Sequence, residues 1–485
     1  MTTSSLRSAS ILLLLALGSP RLEAQTTADV TAADLRRHVI ALAADSMQGR
    51  SAGSPEGMLA ARYLAEELKR FGVAPAGDDG TYFQRVPMGR TEFLAIPELK
   101  CADTAGAEIT ARAGVDFDLA EGGCDARELK VVTVASAAEI PKQADSGAAL
   151  VLLAANATER GAWLSAAGIP DGTGWGLIVA LGAKEAGSRP MERPPRARGR
   201  VAPQTPRISV RGTLRAAFAE RRIASLTLHA PIRSIELESA NVIGIIRGAS
   251  AQLAEDVIAL SAHYDHLPPR VVPEGQDGIF NGADDDASGC AVVLELAEAF
   301  AAGKRPPRTL LFFFATGEEI GLVGTNYALD HPPVPIDKIV VDINFEMLGR
   351  PDPELKPPAR MWLTGFERSD LGDELVRLGV PVVADFRLQQ SFFTRSDNYA
   401  LALRGVVAQT LSSFGLHEDY HKVSDEIESL DYTHMEACAQ GALVGCRRIA
   451  DGEFRPSWRP GLDPSKPKAR ERNTERQDPT PPKDG

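Results

Sequence analysis

Residues able to do chemistry gather where apolar runs of this chain stop. The run "DVIALSA" leads into His263, Tyr264, Asp265 and His266. "TLLFFFATG" leads into Glu318 and Glu319, and "KIVVDINF" leads into Glu346. A loop, "NGADDDASG", sets Asp284, Asp285 and Asp286 side by side before a helix-like segment. Adjacent carboxylates repel one another. A dication removes the repulsion, because hard and borderline cations take carboxylate oxygen. Capping of the next helix explains one or two of the aspartates, since acids are favoured at a helix N-terminus. It does not explain Gly282, Ala287 and Gly289, which let the backbone come close to whatever the loop holds. The chemistry open to this set is that of a metal centre.

A further cluster lies in "FGLHEDYHKVSDE", Phe414 to Glu426. It contains His417-Glu418-x-x-His421. On a helix, that spacing puts two imidazoles on one face with the glutamate as general base of a zinc site. The flanks argue against a helix. Gly415 is a poor helix former, and Ser424-Asp425 read as the N-cap of a helix further on. The segment reads as a loop after the strand "GVVAQTL". In a loop the two histidines need not act together. His421 is expected to reach the metal rim as a ligand; His417 and Glu418 are not.

The elements that must hold these residues follow from periodicity. "TAADLRRHVIALAADSM" and "SPEGMLAARYLAEELKRFGV" repeat as amphipathic helices. After Glu236, buried-type strands "NVIGII", "DVIALSA", "TLLFFFA", "KIVVDINF" and "GVVAQTL" alternate with helices such as "GCAVVLELAEAFAAG" and "MEACAQGALVGCRRIA". This predicts a doubly wound, mainly parallel α/β sheet covered by helices on both faces. Ligands of such sheets bind outside the carboxyl ends of the strands, where the His and acid residues stand. Between residues 92 and 235 the text changes to short β-rich runs, broken by the Pro/Arg-rich loop "SRPMERPPRARGRVAPQTPR". Residues 453–485 are rich in Pro and charge and are expected to be disordered.

The chain has 485 residues, 44% hydrophobic and 24% charged, with a formal net charge of −12. That length supports two or three domains, and the acidic balance argues against a nucleic-acid partner. "ILLLLAL" near the N-terminus, followed by "LEA", reads as a secretory signal over residues 1–24. No other run nears the roughly 20 apolar residues that span a bilayer. The expected location is therefore exported, periplasmic or extracellular, where disulfides are permitted. Of the five cysteines, Cys101 with Cys124 is the one pairing expected. Cys438 and Cys446 lie roughly 12 Å apart on one helix, too far to bridge.

These motifs, in this order, resemble the M28 family of co-catalytic zinc peptidases. That family includes secreted bacterial aminopeptidases, glutamate carboxypeptidase and glutaminyl cyclase. The resemblance covers residues 30–90 and 236–450 and rests on "DSMQGRSAGSPEGMLAARYLAEEL", "SAHYDH", "NGADDDASG", "ATGEEIGLVGT", "INFEMLGR" and "HEDYHKVSD". It implies a zinc peptidase domain over 25–91 and 236–452, with 92–235 resembling an inserted protease-associated (PA) domain. It implies two Zn2+ per chain: His263 and Glu346 on one, Glu319 and His421 on the other, and Asp284 bridging both. Most members carry Asp where Glu346 stands. Asp265 would orient His263, Glu318 would be the general base and acid, and Tyr420 would donate to an oxyanion. A cis peptide between Asp284 and Asp285 is implied as well. The implied reaction is hydrolysis of an N-terminal residue from a peptide by a water that the two zincs activate. The alternatives on the same fold are a single-zinc glutaminyl cyclase and a metal-free receptor-like protein. Specificity is expected in "RLQQSFFTRSDNY" and in the insert, with Phe392 and Phe393 either lining a pocket or packing in the core.

Overall fold

The computed structural model describes residues 26–466, apart from 122, 124–127, 170–171, 173, 183–195, 198–204 and 358–359. The expected signal segment, Cys124, most of the Pro/Arg-rich loop and the chain after 466 lie outside the described residues.

Nine strands form the main sheet. At its centre Thr309–Ala315, Val257–His263, Ile339–Phe345 and Ala408–Ser412 run parallel in that order. Ala240–Ile246 flanks them on one side and is antiparallel, and Met361–Leu363 is antiparallel on the other. The sheet is thus parallel where its strand ends carry chemistry and mixed at its margins. The near-continuous apolar runs are explained by burial on both faces. Leu310, Phe312 and Phe314 pack with Val242, Ile258, Leu260 and Ile343 on one face. Leu311 and Phe313 pack with Ile243, Ile245, Val257 and Ala259 on the other. Each such side chain contributes about 1.5–3 kcal/mol on full burial, which leaves little freedom in strand register.

Helices Ala32–Leu42, Pro55–Phe71, Gly289–Ala302 and Tyr432–Asp451 cover the first face. Val323–Asp330 and Asn398–Ala402 cover the second. Local signals set the helix ends. Ser54 accepts from the Gly57 N–H ahead of Pro55, and Gly72 closes that helix at φ 81°. The last long helix is capped by Asp431, whose side chain accepts from His434 N–H. The expected cap at Ser424-Asp425 is therefore corrected: Asp425 is drawn instead to the backbone of the acidic loop. Cys438 and Cys446 are buried and unbridged on this helix.

Residues between the two halves of this sheet build a second one. Its eight strands enclose their own core, from Leu99 to Ala230. Four of them, Glu128–Val134, Ala148–Leu152, Leu177–Leu181 and Arg207–Val210, are parallel. The chain enters through Met88–Phe93 and leaves through Ile232–Leu237, and these two strands pair antiparallel along their length.

The expected disorder from residue 453 is corrected in part. Trp458 packs edge-on to Phe393 at a centroid distance of 6.0 Å and donates to Gly405 O. Arg455 pairs with Asp256 and Arg459 with Asp373, each at 2.7 Å. One aromatic anchor flanked by arginines that meet acids is enough to lay this segment on the domain, against its low overall hydropathy.

Candidate metal centre

Four parallel strands deliver their polar ends to one rim. His263 is the last residue of its strand. Glu318 and Glu319 follow Ala315, Glu346 follows Phe345, and His421 sits nine residues past Ser412. The acidic loop meets them from above helix Gly289–Ala302.

Asp285, not Asp284, stands at the centre. Its Oδ1 lies 3.4 Å from His263 Nε2, and its Oδ2 lies 3.2 Å from His421 Nε2. His421 Nε2 is also 3.2 Å from Glu319 Oε2. Two donor groups share Asp285: His263 with Glu346, and His266 with Glu319. The expected bridging position is thus corrected by one residue, and the cis peptide joins Asp285 to Asp286. The neighbouring acids face elsewhere. Asp284 accepts from Gly349 N–H at 2.7 Å and meets His417 Nε2 at 3.3 Å. Asp286 accepts from Gly289 and Met347 N–H, which ties it to the start of the helix and to the strand end beside it.

The His-Glu-x-x-His segment is a loop. No helix lies between Ser412 and the short turn at Ile427–Ser429, and His421 has a left-handed φ of 55°. Its two histidines reach two successive aspartates, His417 on Asp284 and His421 on Asp285. Glu418 is exposed. His421→Ala is therefore expected to lose bound metal. His417→Ala is expected to keep it and to cost about 1–2 kcal/mol, by leaving the buried Asp284 without that partner. Zinc content and Tm of the two variants check this.

The backbone of the loop is gripped from both sides. Arg50, fully buried, donates to the carbonyls of Tyr264, Gly282 and Asp285, and also to those of Leu42 and Asn281. The Asp425 carboxylate accepts from the N–H groups of Asp284 and Asp285. Neither role is visible in sequence, because both act on backbone atoms.

Electrostatics shows what the cluster wants. Burial disfavours charge on His263, yet Glu318 and Asp285 hold its pKa well above the usual value. Burial also opposes charge on His421, but Asp285 and Glu319 push it up to about 10. Asp285 is held well below the carboxylate range: against burial, the imidazoles of His263 and His421 beside it prevail. Burial raises Glu346 to about 7 and lifts Glu318 well above its ordinary value, with His263 opposing both. The cluster thus favours positive charge at its centre.

Several buried donor atoms make no hydrogen bond although they converge: His263 Nε2, both ring nitrogens of His266, and Glu319 Oε1. His266 Nδ1 and Glu319 Oε1 are only 2.8 Å apart without hydrogen-bond alignment. Nitrogen and carboxylate donors that approach one another but do not pair fit a shared divalent cation.

The remaining expected residues surround this centre. Glu318 lines the cleft, and its N–H donates to Asp265 Oδ1 at 3.1 Å. His263 Nδ1 meets the backbone O of Asp265 at 3.1 Å, while the carboxylate is 3.9 Å away. The expected orienting role of Asp265 on His263 therefore falls to its carbonyl, and its carboxylate holds Glu318. Tyr420 stacks on His421 at 3.9 Å, and burial raises its pKa, so the hydroxyl keeps its proton. Trp362 and Phe392, 4.9 Å apart, form an apolar wall with Arg395 beside them. Phe393 packs in the core. The cleft holds about 360 Å³, the small end of ligand pockets.

Residues 241–444 match the family model described as Peptidase family M28. A vacuolar membrane protease of Candida dubliniensis is 36% identical over 95 residues, which is 20% of this chain and 9% of that protein. The chain thus matches about a tenth of that relative's length. An aminopeptidase from Aneurinibacillus sp. strain AM-1 has a similar fold, with a TM-score of 0.54 at 18% identity over 90% of this chain and 96% of that one. A zinc aminopeptidase from Bacillus subtilis also gives a TM-score of 0.54, at 14% identity over 88% and 98% of the two chains.

Proposed function

We propose, for a chain whose residues 241–444 match the family model described as Peptidase family M28, the function of an exported zinc-dependent exopeptidase that removes N-terminal residues from peptides. One observation carries the reading. A single buried carboxylate, Asp285, offers one oxygen to each of two groups of unpaired donors, with the free acid Glu318 lining the same cleft. That is the donor set of two neighbouring divalent cations. His263, Glu346 and Asp285 would hold one; Glu319, His421 and Asp285 would hold the other. Bound zinc would lower the pKa of a water toward neutrality and polarise the scissile carbonyl.

The protein's own groups do the rest. Glu318 takes the proton of the attacking water and returns it to the leaving amine. Asp265 keeps its backbone in place. Tyr420, protonated and beside His421, donates to the oxygen that becomes negative. Trp362 and Phe392 give a substrate side chain an apolar wall. A cleft of about 360 Å³ suits one terminal residue better than an extended peptide. The export signal over residues 1–24 and the PA-like character of 92–235 belong to the same proposal.

The purified protein is expected to hydrolyse aminoacyl chromogenic substrates. It should leave their N-acetylated forms intact, lose activity on dialysis against a chelator and regain it with Zn2+. Equal cleavage of the acetylated forms would reject the aminopeptidase reading. Activity that survives the chelator with no metal left in the protein would reject the metal centre. Release of ammonia from an N-terminal glutamine substrate would favour the cyclase.

A further inference from the structure

The two halves of the centre are not alike, and His266 makes the difference. This residue is 1% exposed, and neither of its ring nitrogens has a hydrogen-bond partner. Leaving such a buried imidazole unpaired costs free energy. Its Nδ1 is 2.8 Å from Glu319 Oε1 and 3.9 Å from Asp285 Oδ2. His421 Nε2 closes the group, 3.2 Å from Asp285 Oδ2 and 3.2 Å from Glu319 Oε2. Donors about 2.0–2.1 Å from a tetrahedral zinc stand about 3.3 Å from one another. The four measured separations lie between 2.8 and 3.9 Å, with Glu319 turning Oε1 to His266 and Oε2 to His421. The loop is also shaped for the ring. Gly282 has φ +57°, and a side chain there would come within 2.6 Å of His266.

Building on the metallopeptidase reading above, we infer that His266 is a fourth protein ligand of the position held by His421, Glu319 and Asp285. That position then has two imidazoles and two carboxylates, four protein donors, the number that closes a structural zinc site. The other has His263, Glu346 and Asp285, three protein donors that leave a coordination position open. The first should bind tightly and fill first. The second should exchange and respond to the surrounding zinc concentration. Two donor sets of this kind also differ in taste: imidazole-rich sites suit zinc, while carboxylate-rich ones admit manganese.

The test is metal binding to the full chain, read without catalysis. The chelator-stripped protein is titrated with Zn2+ against a chromogenic competitor, and with Co2+ by visible absorption. The wild-type protein is expected to bind two equivalents of zinc in two affinity classes. The first cobalt equivalent should show the intense absorption of a four-coordinate ion. His266→Asn should weaken the tighter class by at least about 10-fold and spare the weaker one, with an unchanged apo Tm. His263→Asn should do the reverse. Two equal classes in the wild-type protein, or unchanged binding in His266→Asn, would overturn the assignment of His266 alone. No zinc bound by the wild-type protein would overturn it together with the metallopeptidase reading. Should His266→Asn not fold, the wild-type titration and cobalt spectrum decide the matter.

Discussion

Glu318→Gln is expected to lower kcat by about 100- to 10,000-fold while zinc content and Tm stay as in the wild-type protein. Glutamine has the same shape, so the backbone contact to Asp265 survives. The amide cannot take a proton from water and hand it on. Glu318 is absent from both donor groups around Asp285, so the metals should remain. Steady-state kinetics and elemental analysis on one preparation check both halves. A variant within tenfold of wild-type activity would remove Glu318 from the role of base. A variant that has lost zinc would make it a ligand instead.

The second large effect is expected at Asp285. Asp285→Asn should weaken zinc binding by more than about 100-fold and abolish activity. An amide offers one neutral oxygen where two donor groups each face a charged one. Asp284→Asn is the control. Asp284 meets Gly349 N–H and His417, so its change should keep both zincs and cost about 1–2 kcal/mol of stability. Zinc retained after gel filtration, measured in both variants, separates the two. The reverse pattern would return Asp284 to the centre and reject the arrangement described here.

That one-residue correction shows where sequence reading ran out. Apolar strands that stop at His263, Glu318 and Glu346 announce their own boundaries, because burial on both faces imposes a run and the rim ends it. Three consecutive aspartates carry no such register. Which one faces the metals is decided by a backbone held by Arg50 and Asp425, residues 235 positions before Asp285 and 140 after it. His266 was named at the same rim but given no role, because the histidine letter does not tell a ligand from a packed imidazole; its buried ring, with neither nitrogen hydrogen-bonded, is what marks it. His421 was legible at the rim because its loop leaves a strand there, whereas Tyr420 entered only through the family resemblance. Trp458 was hidden by the charged residues around it, although those residues are what fastens the segment down.

The paired strands Met88–Phe93 and Ile232–Leu237 have a consequence for how the protein divides. They bring the two chain ends of the insertion to facing positions, with Thr91 opposite Ser234. A short turn could join them and delete everything between, in one cut. The converse excision fails. A fragment limited to residues 241–444 would contain every expected ligand and still lack Arg50, whose contacts to the carbonyls of Asn281, Gly282 and Asp285 shape the loop under them. The smallest folding unit is therefore discontinuous: the N-terminal helices must travel with the main sheet, and the insertion is the portable part.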